Sequence, residues 1–391
     1  MFVRTVVAAV AAAVLIAGCA SAPAPSASPG ASTPPTEGKK LTVVTHDSFA
    51  LDKAARAQFA AETGYEVTYI APGDVGTVVN QLVLTKDAPI GDVVYGIDNT
   101  FAGRAVSAGV LSPYTSSALP KGADAYAADG AGSLTPIDYG DVCLNADTGW
   151  FKSHNVAVPQ TLDDLVKPEY SGLLVVENPA SSSPGMAFLA ATVAAKGDPG
   201  YLDYWTQLKA NKVLVVKGWT EAYTVEFSGS TGKGDRPLVV SYSSSPAYEH
   251  ATQALTQTCF RQVEYAGVIA GAQNEVGARK FVDFLLSKQV QAQIPEQMYM
   301  DPIDSSVKLP ADWEKYAATV ETPLSIPAAQ LSANRDAWIK AWTAASPPGG
   351  GRSPGFGAWW PSFPSRSSPS SSPGRSAPWW RRGSSTRPGS T

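Results

Sequence analysis

Between Lys39 and Ala345, short apolar runs alternate with longer stretches in which apolar residues recur every three or four positions. Leu41 to Thr45, Tyr65 to Ile70 and Asp92 to Tyr95 read as strands. Leu51 to Thr63, with Leu51, Ala54, Ala55 and Phe59 near helical spacing and Gly64 as a stop, reads as a helix, as do Gly76 to Thr85 and Phe101 to Ala108 before Gly109. This alternation predicts an α/β domain with a largely parallel sheet. The run Val142-Cys143-Leu144, within Pro136 to Ala146, is read as a crossover into a second domain that repeats the theme. There Leu173 to Val176, Val213 to Val216 and Leu238 to Val240 are predicted strands, and Met186 to Ala195 and Tyr201 to Ala210 predicted helices. Gln262 to Ile269 predicts a strand returning to the first domain, followed by helices over Asn274 to Ser287, Gln289 to Ile294 and Ala328 to Ala345.

The two ends of the chain break this pattern. Arg4 and the apolar run Val6 to Ala17 have the charge and length of an export signal, short of the roughly 20 residues that span a bilayer. The run ends in Ile16-Ala17-Gly18-Cys19, which resembles the lipobox of bacterial lipoproteins. It implies a signal peptide over 1–18, a lipidated Cys19 that anchors the mature chain to the membrane, and an extracytoplasmic location. Residues 20–38, rich in Ser, Pro, Ala and Gly, suit a tether. After Ser346 the chain holds nine of the 31 prolines and four of the ten tryptophans, and no acidic residue follows Asp336, so residues 346–391 read as a disordered tail or as the product of a shifted reading frame.

Length and charge narrow the function. At 391 residues two domains are expected, and a 16% charged fraction with a net charge of −4 argues against a nucleic-acid partner. With Cys19 assigned to lipid, Cys143 and Cys259 are an even pair in an exported chain; a disulfide between them is expected, with two buried thiols as the alternative. Catalytic signals are poor: three histidines, no Gly-x-Ser-x-Gly, no His-Glu-x-x-His and no Cys-x-x-Cys. Gly229 to Gly234 has Gly after Lys233 where a phosphate loop needs Ser or Thr, and reads as a connecting loop. Neither an enzyme nor a cofactor is expected.

Binding signals are richer. Lys217-Gly218-Trp219-Thr220-Glu221-Ala222-Tyr223 and Ser241-Tyr242-Ser243-Ser244-Ser245-Pro246-Ala247-Tyr248 each follow an apolar run, as residues do at strand ends that face a crevice. Trp219, Tyr223 and Tyr242 there are candidates to clasp a flat or cationic ligand, against the reading of ordinary core aromatics, and Ser243 lies in the same stretch. Asn178-Pro179-Ala180-Ser181-Ser182-Ser183-Pro184-Gly185 precedes a predicted helix, where Ser181, Ser182, Ser183 and the N–H of Gly185 could hold an anion or form a plain serine cap. Asp47 and Asp98 follow strand-like runs and could balance a ligand's cation or cap the next helix.

Taken together, Thr45-His46-Asp47-Ser48-Phe49, Gly96-Ile97-Asp98-Asn99, Asp138-Tyr139-Gly140, the serine-rich turn, Gly-Trp-x-Glu-Ala-Tyr, Ser-Tyr-x-x-Ser-Pro-Ala-Tyr and Arg335-x-x-Trp338-x-x-x-Trp342 resemble the thiamine-binding subunit of bacterial ABC importers, from about Leu41 to Ala345. The resemblance implies a two-lobed α/β fold of the type II periplasmic-binding-protein kind, with the ligand cleft between the lobes. Lobe 1 would be about 39–137 plus 263–345 and lobe 2 about 138–262. It also implies a monomer that delivers thiamine or its mono- or diphosphate to an ABC permease. Trp219, Tyr223 and Tyr242 would surround the rings, Ser181 to Ser183 would hold the phosphate or hydroxyethyl end, and Asp98 and Asp47 would face the cation. Tyr299 stands where the family pattern usually has Trp, and Asp301 where it has Tyr, so aromatic character survives at one of the two. The alternatives are a receptor for a polyamine, sugar phosphate or ferric ion, or a structural lipoprotein that binds no small molecule.

Overall fold

The computed structural model describes residues 39–128 and 132–345. The export signal, Cys19 with its tether, and the C-terminal tail expected from the sequence lie outside the described residues.

Strand β1 (Lys40–Val44) buries Leu41, Val43 and Val44, and α1 (Lys53–Thr63) follows it, two residues later than its apolar spacing suggests. The reason is local: Asp52 caps the helix by accepting from the Ala55 N–H at 2.6 Å. Gly64 ends it in the left-handed conformation (φ 74°) and donates its N–H to the Ala60 carbonyl. Then come β2 (Glu66–Ile70), α2 (Val75–Leu84), β3 (Val93–Asp98), α3 (Ala102–Ser107) and the short β4 (Leu111–Ser112). β2 and β3 both pair parallel with β1.

The chain leaves this lobe on β5 (Thr135–Asp147) and continues through α4 (Thr148–His154), β6 (Leu174–Glu177), α5 (Ser183–Lys196), α6 (Gly200–Ala210), β7 (Leu214–Val216), the single turn α7 (Trp219–Glu221) and β8 (Leu238–Tyr242). It returns on β9 (Thr252–Ile269), followed by α8 (Glu275–Leu285), α9 (Lys288–Met298), β10 (Asp301–Pro302), α10 (Ala311–Tyr316) and α11 (Ala328–Ala345). β5 and β9 run antiparallel along nearly their whole length, from Thr135 opposite Ala266 to Asp147 opposite Thr252. At one end β9 pairs with β3; at the other β5 pairs with β8, beyond which lie β6 and β7. Each half-sheet is therefore parallel at its edge, as the sequence predicts, and antiparallel where the two long strands carry it.

β9 begins ten residues before the expected Gln262. Its first part, Thr252 to Thr258, is mostly polar and exposes Gln253, Thr256 and Gln257. Its strand form comes from pairing with β5, a long-range cause that local periodicity does not carry. The segments after α9, grouped with the first lobe in the sequence reading, also touch the second. The Ala318 N–H donates to the Ser243 carbonyl, the Leu324 N–H to the Cys259 carbonyl, and Trp342 meets Trp205 of α6 edge-on at 5.4 Å.

Cys143 on β5 and Cys259 on β9 are disulfide-bonded, their Cα atoms 4.1 Å apart and separated by 116 residues in sequence. A crosslink over so long a loop removes chain entropy from the unfolded state. Cys143→Ala with Cys259→Ala is expected to lower the unfolding free energy by about 2–5 kcal/mol. An unchanged urea midpoint would show that the strand pairing holds these residues together without the bond.

Candidate ligand-binding site

An aromatic shelf occupies the second lobe. After β7, Gly218 is extended, and α7 starts at Trp219 and widens at once into a π-type turn over Ala222 to Glu226, closed by the Phe227 N–H on the Ala222 carbonyl. That turn lays Tyr223 flat on Trp219, with ring centroids 4.9 Å apart and planes 12° from parallel. The Trp219 indole N–H donates to Ser241 Oγ at 3.0 Å, tying the shelf to the end of β8. Tyr242 and Tyr299 each stand 6.2 Å from the indole, and Tyr248 packs on Tyr299 at 4.0 Å. Tyr299 is the left-handed cap of α9 (φ 62°), and its carbonyl accepts from the Ser244 hydroxyl at 2.6 Å.

The floor is made by the long strands and β3, and it is rich in carboxyl groups. The Tyr95 hydroxyl lies 2.5 Å from Asp138 Oδ2 and 2.8 Å from Glu264 Oε2. One phenol has one proton, so both contacts are hydrogen bonds only if a carboxyl brings its own. Asp138 is that carboxyl: burial, and the Glu264 charge next to it, push it well above the usual range. Gln262 donates to Glu264 at 3.1 Å and to the Tyr242 hydroxyl at 3.2 Å, which joins floor to shelf. His46 is buried here because Gly96 (φ 100°) has no side chain; a Cβ at Gly96 would stand 2.3 Å from His46 Cδ2. Burial alone would lower the imidazole, but the Glu264 carboxylate, with Asp74 and Asp47 farther off, holds it above its ordinary value. At 3.6 Å from Glu264 Oε2, His46 Nε2 is in charge contact and beyond hydrogen-bond reach.

Asp98, fully buried, accepts the Thr100 N–H on Oδ1 at 2.5 Å, while its Oδ2 has no protein partner. Burial raises it to about 7, Glu264 adds to the rise, and the Thr100 contacts and Arg335 oppose it. His46 Nε2, Asp138 Oδ1, Gln262 Oε1 and the Tyr223 hydroxyl are likewise buried without a hydrogen-bond partner. Polar atoms buried in this way cost about 1–3 kcal/mol each unless something satisfies them. Those of His46, Asp98, Asp138 and Gln262 belong to residues gathered around Glu264.

The lobes touch at the serine turn. Ser182 caps α5 by accepting the Gly185 N–H at 3.3 Å, Ser181 Oγ donates to the Lys217 carbonyl at 2.7 Å, and Ser183 Oγ is buried without a partner. Gly185 lets α5 pack on β6, since a Cβ there would stand 2.6 Å from the Glu177 carbonyl oxygen. From the first lobe Asp74, cap of α2, reaches across: Oδ1 accepts from Val75 N–H at 2.7 Å and Ser183 N–H at 3.2 Å, and Oδ2 from Trp219 N–H at 3.1 Å. Burial raises this carboxyl, while the Ser182 hydroxyl and the N–H groups of Trp219 and Val75 oppose the rise.

The structure thus brings Trp219, Tyr223, Tyr242 and Tyr299 together and sets Asp98 opposite Glu264 on the β3–β9 ladder. Asp47 is exposed on the turn beside His46, and Ser243 is held by its backbone, its N–H donating to the Asp141 carbonyl at 2.8 Å. Asp301 lies on β10 opposite Tyr139, raised to about 6 by burial and by Asp141. Sequence reasoning missed Asp74, His46, Tyr95, Gln262 and Glu264 as site residues. Asp74, in Pro72-Gly73-Asp74-Val75-Gly76, has the look of an ordinary helix cap, which it also is.

Two lobes on a shared pair of strands, with polar and aromatic groups converging between them, define a receptor that closes over a small solute. The chain belongs to the bacterial extracellular solute-binding protein family, whose pattern matches residues 88–322. It is 31% identical over 320 residues to the thiamine-binding periplasmic protein of Escherichia coli (strain K12), covering 78% of this chain and 93% of that protein. It is 28% identical over 326 residues to the protein of the same name from Brucella abortus, covering 78% and 92%. Among solved structures it is similar to a periplasmic thiamin binding protein, with a TM-score of 0.69 and 30% identity over 78% of this chain and 96% of that one.

The position of Asp98 sets a measurable sign. Its folded value of about 7 against 3.8 for the free group means that stability present below about pH 4 is lost as pH rises towards 7. Asp98→Asn keeps the acceptor for Thr100 and removes the charge. Its melting temperature relative to the parent is expected to climb between about pH 4 and pH 7 and to level off above; a pH-independent difference would place the titration elsewhere.

Proposed function

We propose that this chain is a lipid-anchored, extracytoplasmic receptor that captures thiamine or a thiamine phosphate and delivers it to an ABC permease. The observation that carries the reading is the Trp219–Tyr223 shelf set over a carboxyl-rich floor, in a chain similar to thiamine-binding periplasmic proteins. Thiamine has a flat aminopyrimidine and a cationic thiazolium ring. Trp219, Tyr242 and Tyr299 offer π-faces to the cation, each contact worth about 0.5–2 kcal/mol depending on desolvation. Asp98 Oδ2 faces the charge from the other lobe, and Asp138 Oδ1 and Gln262 Oε1 suit the amino group. Ser181 to Ser183, with the Gly185 turn, take the hydroxyethyl or phosphate end. Cys19 supplies the anchor, and the receptor works as a monomer.

Calorimetric titration of the purified protein, freed of ligand by unfolding and refolding, with thiamine and its phosphates tests this. Trp219→Ala is expected to weaken thiamine binding by roughly 2- to 30-fold, and the absence of heat with all three forms from folded wild-type protein would sink the assignment. A proton count gives a second check. A cation beside Asp98 draws its carboxyl down from about 7, so binding at pH 7 releases protons and affinity rises with pH through that range. Titrations in buffers of different ionisation enthalpy read the release, and Asp98→Asn should abolish it.

A further inference from the structure

Asp74 belongs to the first lobe by sequence and by its cap on α2, yet most of what its carboxylate holds lies on the second. The Ser183 N–H opens α5 and the Trp219 N–H opens α7, so one carboxylate meets the starts of two helices that carry the serine turn and the aromatic shelf. The Thr77 N–H on the Ser181 carbonyl at 3.3 Å runs beside these contacts. Two glycines make so close an approach possible. A Cβ on Gly76 would stand 2.6 Å from the Ala180 carbonyl oxygen and 2.7 Å from Ser181 Cα, and a Cβ on Gly218 would stand 3.2 Å from Asp74 Cβ and Oδ2. Backbone therefore meets backbone where the lobes join.

We propose that Asp74 is a positioning residue that latches the closed cleft, coupling lobe closure to the placement of Trp219 and the serine turn. The inference rests on the receptor reading, since it requires lobes that open and close around a solute. When the lobes part, the carboxylate exchanges two cross-lobe N–H groups for water and keeps only its own cap. When they meet, the charge-assisted bonds re-form, and the Trp219 backbone is fixed from the opposite lobe while its indole is held by Ser241 of its own. The latch belongs to the closed form alone, so it governs how long a ligand stays rather than how fast it arrives.

Asp74→Asn separates latch from cap. Asn caps a helix about as well as Asp, so α2 should keep its cap. Its amide, however, offers one acceptor oxygen where the carboxylate has two: the oxygen that keeps the Val75 cap also keeps Ser183, and the NH2 then faces the Trp219 N–H. Stopped-flow Trp fluorescence on the full chain is expected to show thiamine leaving Asp74→Asn roughly 10- to 100-fold faster with little change in its association rate. Spin-label distances between Leu84→Cys on α2 and Lys152→Cys on α4, both exposed, should show fewer closed molecules in Asp74→Asn than in the otherwise identical parent, with and without thiamine. Equal dissociation rates and equal distance distributions would overturn the latch. If thiamine fails to bind but the distributions differ, the latch stands and the ligand assignment falls.

Discussion

The antiparallel pairing of β5 with β9 is the constraint on which the rest depends. Each strand contributes one end to each lobe, so every relative motion of the lobes bends or twists this one ladder, and the register from Thr135–Ala266 to Asp147–Thr252 fixes which residues face each other midway. That register places Asp138 opposite Glu264, two acids directly across a buried ladder, which is unfavourable if both are ionised. Tyr95 resolves the conflict by standing between them, and a proton retained on Asp138 completes the arrangement. The polar floor of the cleft is thus a consequence of how the lobes are joined.

The two sides of the cleft are built from different chemistry. The second lobe presents rings, held by neutral hydroxyl contacts such as Trp219 to Ser241. The floor and first lobe present ionisable groups displaced from their ordinary values: burial raises Asp98 to about 7 and raises Asp74, while His46, which burial alone would lower, is held up by the Glu264 carboxylate. Closure removes water from between them, which strengthens each electrostatic contact and raises the penalty for each unpaired polar atom. A ligand is felt by both sides at once only in the closed form.

Much of the fold could be read from local pattern, because β1 to β3 and β6 to β8 are short apolar runs and their helices carry ordinary caps and glycine stops. The two-lobed α/β expectation holds for that reason. The first half of β9 was hidden because its residues are polar and its strand form comes from β5. In the site, Trp219, Tyr223 and Tyr242 stood out as large rings among small residues at strand ends. His46, Tyr95 and Glu264 did not, since Tyr95 is 169 residues from Glu264 in sequence and nothing short of the ladder register brings them together. Asp74 was not singled out, because a helix cap and a cross-lobe contact leave the same mark in a sequence.

Selectivity follows from requiring both sides. A neutral flat molecule could stack on Trp219, but it would leave Asp98 Oδ2 and Asp138 Oδ1 buried and unpaired, a cost that a receptor built from apolar surface alone would never impose. A compact cation could pair with the floor, yet it would leave the aromatic shelf uncovered and gain no stacking on it. The groups left without partners therefore act against the wrong ligands as much as for the right one. Their cost is imposed when the lobes meet, so discrimination and closure are a single step.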